Sequence, residues 1–240
     1  MLIIQFIPHI LFIMLLSWNV LNTASASFDT FTTDSSPYGI PYNEWLEKWV
    51  TWWTGIPVDK HPYIAPSDPE RCSIMQEGPV WFLPDITPRP GKTLDYNCNI
   101  PLGKSIFIPI SVTFCEKDNK GTCGHSLTDT ELLELADNIR TPIAHLVVEI
   151  NGIKIPLNGP PIKTGFFNIT VPDPPPREIW AELKTGTHKT TTSAYFLIVH
   201  DMPAGKHVIK LKVLDLLKGN EGPPPRFEPL RSGSYEILIQ

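Results

Sequence analysis

His200 and His207 bracket an expected hairpin turn, Asp201–Lys206, which would set both imidazoles at one hairpin mouth, and with Asp201 they are the residue types in this chain best suited to a metal ion. Imidazole is the commonest metal ligand, and a carboxylate alongside two of them makes a familiar donor set. His61 and His125 are the available third ligands. Against this, His207 alternates in phase with Ile209, Leu211 and Val213, while Lys210 and Lys212 take the opposite phase. That alternation places His207 at the edge of an apolar core. A metal-binding protein or metal-dependent enzyme using His200 and His207 is therefore the alternative reading, and no other cofactor is expected.

Aromatic chemistry is the second possibility. Trp45, Trp49, Trp52 and Trp53 fall at i, i+4, i+7 and i+8 within residues 42–54, with Leu46 and Val50 widening the stripe. This is helical spacing, with Asn43 as the expected cap and Gly55 and Pro57 as the stop. A buried Trp removes ~150–250 Å² from water, so four of them demand a partner. The first expectation is packing across one face or end of the domain. The functional alternatives are a stacking platform for sugar rings and a seat at a membrane interface. His61-Pro62, with Asp59 and Asp68, lies in a Pro-rich loop that could form a ligand-facing rim, with solvated loop polarity as the competing account. Trp45, Trp49, Trp52, Trp53 and His61 are thus the candidate binding residues. No catalytic residue is assigned: the G-x-S-x-G, H-E-x-x-H, Walker and dinucleotide patterns are absent. Asn168-Ile169-Thr170 is a glycosylation sequon, though it falls in a predicted strand.

The elements that must position these groups are mostly strands. Pro occurs 26 times in 240 residues, about twice the usual ~5%, and Pro is poorly tolerated in helix interiors. The clearest hairpin spans 145–157 around Asn151-Gly152, a turn requiring positive φ at both positions. Pairing Ile150 with Ile153 puts Leu146, Val148, Ile150, Ile153, Ile155 and Leu157 on one face and sets Glu149 opposite Lys154. Further strands are predicted at 80–83, 105–112, 166–171, 194–200, 207–214 and 235–240, with Pro109 marking its run as an edge. A second helix follows the capping box Thr128-Asp129-Thr130-Glu131 and ends before Pro142. The expected class is mainly β: a β-sandwich, jelly-roll or immunoglobulin-like, with two short helices.

Residues 10–16 are wholly apolar and Ala24-Ser25-Ala26 has the small-residue pattern of a signal-peptidase site. Residues 1–26 are read as a signal peptide cleaved near Ala26, although no Lys or Arg precedes the apolar run, and an uncleaved anchor is the alternative. Residues 27–41 are expected to be a flexible lead-in, and 42–240 a single disulfide-stapled domain, secreted or at the cell surface. No membrane span is expected after cleavage. The net charge of −5 argues against nucleic acid as a partner. Cys72, Cys98, Cys115 and Cys123 all lie in the exported part and read as two disulfides. Four cysteines allow three pairings; the expected one is Cys72–Cys98 with Cys115–Cys123, the second closing the polar turn 116–122.

Several blocks together resemble a group of uncharacterised exported prokaryotic proteins. They are Glu44-Trp45-Leu46-Glu47-Lys48-Trp49, Cys72 with the following Gln76-Glu77-Gly78-Pro79-Val80-Trp81-Phe82-Leu83, Cys98-Asn99-Ile100-Pro101-Leu102-Gly103-Lys104, Phe107-Ile108-Pro109 and Pro203-Ala204-Gly205-Lys206-His207. The resemblance covers most of the chain and implies no activity. It does support the Cys72–Cys98 pairing, since both cysteines sit in shared blocks. The leading functional expectation is a non-catalytic binding or cell-envelope protein that recognises a glycan or protein partner through the Trp helix, the His61 loop and the end of the sandwich. Export should yield a mature chain beginning at Ser27; N-terminal sequencing of the secreted product checks this, and a chain retaining residues 1–26 would indicate an anchor.

Overall fold

Alternation of apolar and polar residues makes strands in this chain, and one strand that does not alternate shows how the layers stack. The computed structural model describes residues 27–86, 93–117, 123, 127–138, 143–157, 159–177, 179, 183–216 and 227–240. The expected signal peptide and His125 lie outside them. In chain order the elements are β1 (Asp29–Thr30), α1 (Tyr42–Gly55), β2 (Val80–Phe82), β3 (Leu94–Ile100), β4 (Ser105–Glu116), α2 (Asp129–Asn138), β5 (Ile143–Ile150) and β6 (Ile153–Ile155). There follow β7 (Ile162–Lys163), β8 (Phe167–Val171), β9 (Gly186–His200), β10 (Gly205–Leu216) and β11 (Phe227–Ile239).

The strands form two mixed sheets. One runs β1-β9-β4-β2, with β7 and β8 also pairing along the β9 edge that β4 does not use; the other runs β3-β11-β10-β5-β6. Between the sheets lies one core: Ile106, Ile108, Ile110, Leu197 and Val199 meet Tyr96, Ile100, Val148, Ile150, Ile209, Leu211, Tyr235 and Ile237. The first sheet is buried on its other face as well, where Phe82, Phe107, Ala194, Phe196 and Ile198 pack against α1. This explains why β4, Ser-Ile-Phe-Ile-Pro-Ile-Ser-Val-Thr-Phe-Cys-Glu, reads as an almost unbroken buried run. The architecture is mainly β and sandwich-like, with α1 as a third layer. Parallel pairing of β2 with β4 and of β3 with β11 makes both sheets mixed, so the finer choice between jelly-roll and immunoglobulin-like does not follow from the strand order.

Particular expectations fare differently. The hairpin register is as predicted, Ile150 opposite Ile153 and Glu149 opposite Lys154. The capping box is reciprocal: Thr128 N–H donates to Glu131 Oε2 at 2.8 Å, and Glu131 N–H to Thr128 Oγ1 at 3.3 Å. Both expected disulfides are present. Pro109 sits at a bulge between Pro109 and Ser111, beyond the short partner β2, so β4 is an inner strand over 105–107 only. The bulge shifts the phase, so that Ile110 still faces the other sheet while Val112 faces α1. The helix cap is a correction: α1 begins at Tyr42 behind Pro41, and no side chain caps it, Asn43 included. Residues 27–41 are docked, not free, through β1 on His200 and Val199 and through Trp45 Nε1–H to Pro37 O at 3.1 Å. Strand β9 starts at Gly186, well before the predicted 194, because Thr190, Thr191, Thr192 and Ser193 continue the ladder with polar β-formers.

Tight spots follow from this layering. Tyr96 and Tyr235 stack at 5.7 Å and donate to the carbonyls of Asp85 (3.0 Å) and Pro84 (2.7 Å), drawing residues 84–86 onto the sheet. Gly233 faces that segment: a Cβ there would lie 2.6 Å from Leu94 O and 2.9 Å from Ile86 Cγ2. Gly233→Ala should therefore cost ~1–3 kcal/mol, as overpacking does. A urea midpoint equal to that of the parent protein would show that β3 and β11 have slack there.

Candidate functional site

The aromatic stripe is core. Trp45, Trp49, Trp52 and Trp53 are between 0% and 5% exposed, so none offers a ring face to a sugar or a membrane, and the platform reading of these residues is corrected. Their positions follow from α1 lying across the first sheet, where Trp49 stacks on Phe107 at 5.8 Å and on Trp53 at 6.0 Å. Three indoles also fasten loops: Trp45 to Pro37 O, Trp49 to Leu83 O at 2.8 Å, and Trp52 to Ile74 O at 2.9 Å.

His61 is also inside, with 0% exposure, so it is no part of a ligand-facing rim. Its Nε2–H donates to Trp53 O at 3.1 Å, its Nδ1 accepts from Tyr63 N–H at 3.3 Å, and its ring meets Trp53 edge-on at 4.2 Å. Arg71 binds the carbonyls of Asp59 and His61, and Asp68 caps the turn at Glu70 N–H, so the polar groups of this loop serve its own backbone.

His200 and His207 lie on different sheets and have different hydrogen-bond partners. Strand β9 belongs to the first sheet and β10 to the second, so Asp201–Ala204 is a crossing between sheets and not a hairpin turn. His207 is 5% exposed and uses both ring nitrogens: Nδ1 accepts from Asn151 Nδ2–H at 2.9 Å, and Nε2–H donates to Pro203 O at 2.8 Å. No lone pair is left for a metal. Among the described residues no three His, Cys, Asp or Glu side chains gather as a ligand set. His207 is instead a strut that locks the Asn151-Gly152 turn to β10, helped by Val208 N–H donating to Asn151 Oδ1 at 3.0 Å.

His200 has a different setting. It is opposite Asp29 of β1, and since Ile106 pairs with Val199, one step along the register brings Ser105 opposite His200. Its Nδ1 bonds Asp201 Oδ2 at 2.7 Å, with the Asp201 side chain 81% exposed. Its ring lies 4.4 Å from that of Phe31, and Phe31 meets Tyr38 edge-on at 6.0 Å. Tyr38 is 50% exposed, and its hydroxyl bonds Ser105 Oγ at 2.7 Å. Tyr38 (φ 57°) and Asp201 (φ 57°) both hold left-handed backbone conformations, which Asp adopts readily but which is uncommon for a ring side chain. Together these residues form a rim at one end of the sandwich: a half-exposed ring, a second aromatic beside it, an imidazole and an exposed carboxylate. Of this group the sequence marked His200 and Asp201, as metal-ligand types, and neither Tyr38 nor Phe31. A signal for Tyr38 did exist in Ser36-Pro37-Tyr38-Gly39, a turn composition.

A second concavity of about 310 Å³ lies at the far end, between α2 (Leu133, Glu134, Ala136) and Lys163, Thr164 and Ser193. The sequon residue Asn168 is exposed on β8, opposite Lys189. No family model matches this chain, and no curated protein or solved structure matches it either.

The burial of His61 has a pH consequence. Burial pushes its imidazole down to about 4; the bond to Trp53 O partly offsets this and the Arg71 guanidinium adds to it. The unfolded chain takes up that proton near the ordinary 6.5 and the folded chain does not. Stability is therefore full above pH 6.5 and falls as the pH drops towards 4, by about 3 kcal/mol from this residue. His61→Gln, which keeps a donor towards Trp53 O, should flatten the melting-temperature profile between pH 6.5 and 4. Parallel profiles for the two proteins would remove His61 as the cause.

Proposed function

We propose that this chain is an exported, non-catalytic binding or cell-envelope protein that recognises a glycan or protein partner at the rim of Tyr38, Phe31, His200 and Asp201. Export is supported by the apolar run and Ala24-Ser25-Ala26, and by the resemblance to exported prokaryotic proteins. The two disulfides suit an oxidising compartment. No helix among the described residues is long and apolar enough to cross a membrane.

The observation that carries the binding site is Tyr38. An aromatic ring held half in water, in a left-handed conformation, and pinned by its hydroxyl to a buried Ser105 is pre-organised for contact, not for packing. Asp201 and His200 supply directional polar groups beside it. Tyr38→Ala and Asp201→Ala should each weaken capture of the isolated partner or envelope polysaccharide at least tenfold. Both should keep melting temperatures near that of the parent, because neither side chain belongs to the two large cores. Undiminished capture by both variants would place recognition elsewhere on the molecule.

A further inference from the structure

Resting on the rim as the binding site, we infer that its ligand is a neutral pyranose unit, seated with its C–H face on the Tyr38 ring and its hydroxyls shared between Asp201 and His200. The groups at the rim are acceptors or are already committed. Asp201 Oδ2 takes the His200 Nδ1 proton, and Oδ1 has no partner among the described residues. His200 Nε2 likewise has none there, while the Tyr38 hydroxyl is engaged with Ser105. A matching ligand brings hydroxyl donors arranged around a small apolar face, which is the chemistry of a sugar ring. A carboxylate with a neighbouring imidazole suits adjacent hydroxyls, since each oxygen accepts along separate lone pairs.

The surroundings favour a sugar over a protein surface. A protein interface needs an extended core depleted in charge, ringed by polar groups. Here a single ring stands among exposed Asp29, Thr32, Asp34, Ser36 and Asp201. Tyr38 and Phe31 are also cheap to immobilise: Tyr38 is tied by Ser105 and stands edge-on to both Phe31 and Trp45, the latter at 6.3 Å. Little side-chain entropy remains to be lost when a ring docks.

The test is ligand-observed NMR and calorimetry on the full mature protein, using the methyl glycosides of glucose, galactose and mannose, their linear tetramers, glucosamine and a tetralysine peptide. We expect at least one neutral saccharide to bind, with a tenfold or greater loss in Tyr38→Ala, retention in Tyr38→Trp and a three- to tenfold loss in Asp201→Asn. Glu134→Gln, in the cleft at the far end, should bind like the parent. The inference is overturned if Tyr38→Ala and Asp201→Asn bind saccharide as the parent does, if Glu134→Gln is the variant that fails, or if only glucosamine and tetralysine bind. Capture of an envelope protein through the rim with no saccharide bound would also overturn it while leaving the rim as the binding site. Loss of both would overturn the two together.

Discussion

Burial of the α1 indoles on the outer face of the first sheet is the interaction on which the rest of this structure depends. A sheet buried on one side only would leave Phe82, Phe107, Phe196 and Ile198 in water; α1 covers them with Trp45, Trp49 and Trp53. At ~25 cal/mol per Å², each Trp contributes several kcal/mol, which outweighs any surface contact in the molecule. The polar edge of each ring then matters as much as its area. Indole N–H groups bound to Pro37, Ile74 and Leu83 hold three loops at fixed heights above the sheet. One of those loops presents Tyr38, so the rim is an indirect product of the helix.

The second constraint is the need to satisfy backbone groups along β9. This strand has fifteen residues, and no single partner matches its length on the side away from β4. Three short pieces share the task, at His200 and Val199 (β1), Ala194 and Ser193 (β7), and Thr190 to Gly186 (β8). In the gap Ile198 N–H donates to the Tyr42 hydroxyl at 3.2 Å. Burial drives that phenol's pKa well above its ordinary value, so it stays protonated, and its oxygen accepts the bond. The edge of β2 is treated the same way by Gln76, whose amide accepts from Phe82 N–H at 2.9 Å and donates to Phe82 O at 2.7 Å. Side chains stand in for missing strands, and the edges are closed to unwanted pairing.

Within this frame, residue type was a poor guide to role. Histidine at position 207 has the alternation of a core residue and is one, with both nitrogens spent on structure. Histidine at 61 lies in a loop rich in Asp and Pro and is nonetheless sealed under Trp53. Of these three, His200 stays at the surface, because it ends β9 where the sheet runs out and Asp201 turns the chain away with a positive φ. The rim therefore collects residues from the docked N-terminal segment, the start of β4 and the end of β9.

Local signals were legible wherever one short stretch decides its own conformation. Asn151-Gly152 set the hairpin and its register, Thr128 and Glu131 set the start of α2, and Trp spacing set the buried face of α1. Strand β3 was missed although Leu94, Tyr96, Cys98 and Ile100 alternate, because Asp95, Asn97 and Asn99 between them resemble loop composition. The bulge at Ile110 and the splitting of β9 and β10 between sheets left no local trace, being outcomes of which strands find each other. By itself, then, the sequence determined the mainly β class and the periodic faces, since these rest on near-neighbour sterics and apolar period. It left three cysteine pairings open, and only the folded chain selects Cys72–Cys98 with Cys115–Cys123. Only the tertiary structure decided that the tryptophans are core, that His207 is a strut and that Tyr38 and His200 both stand against Phe31, because burial and partner choice depend on residues distant along the chain.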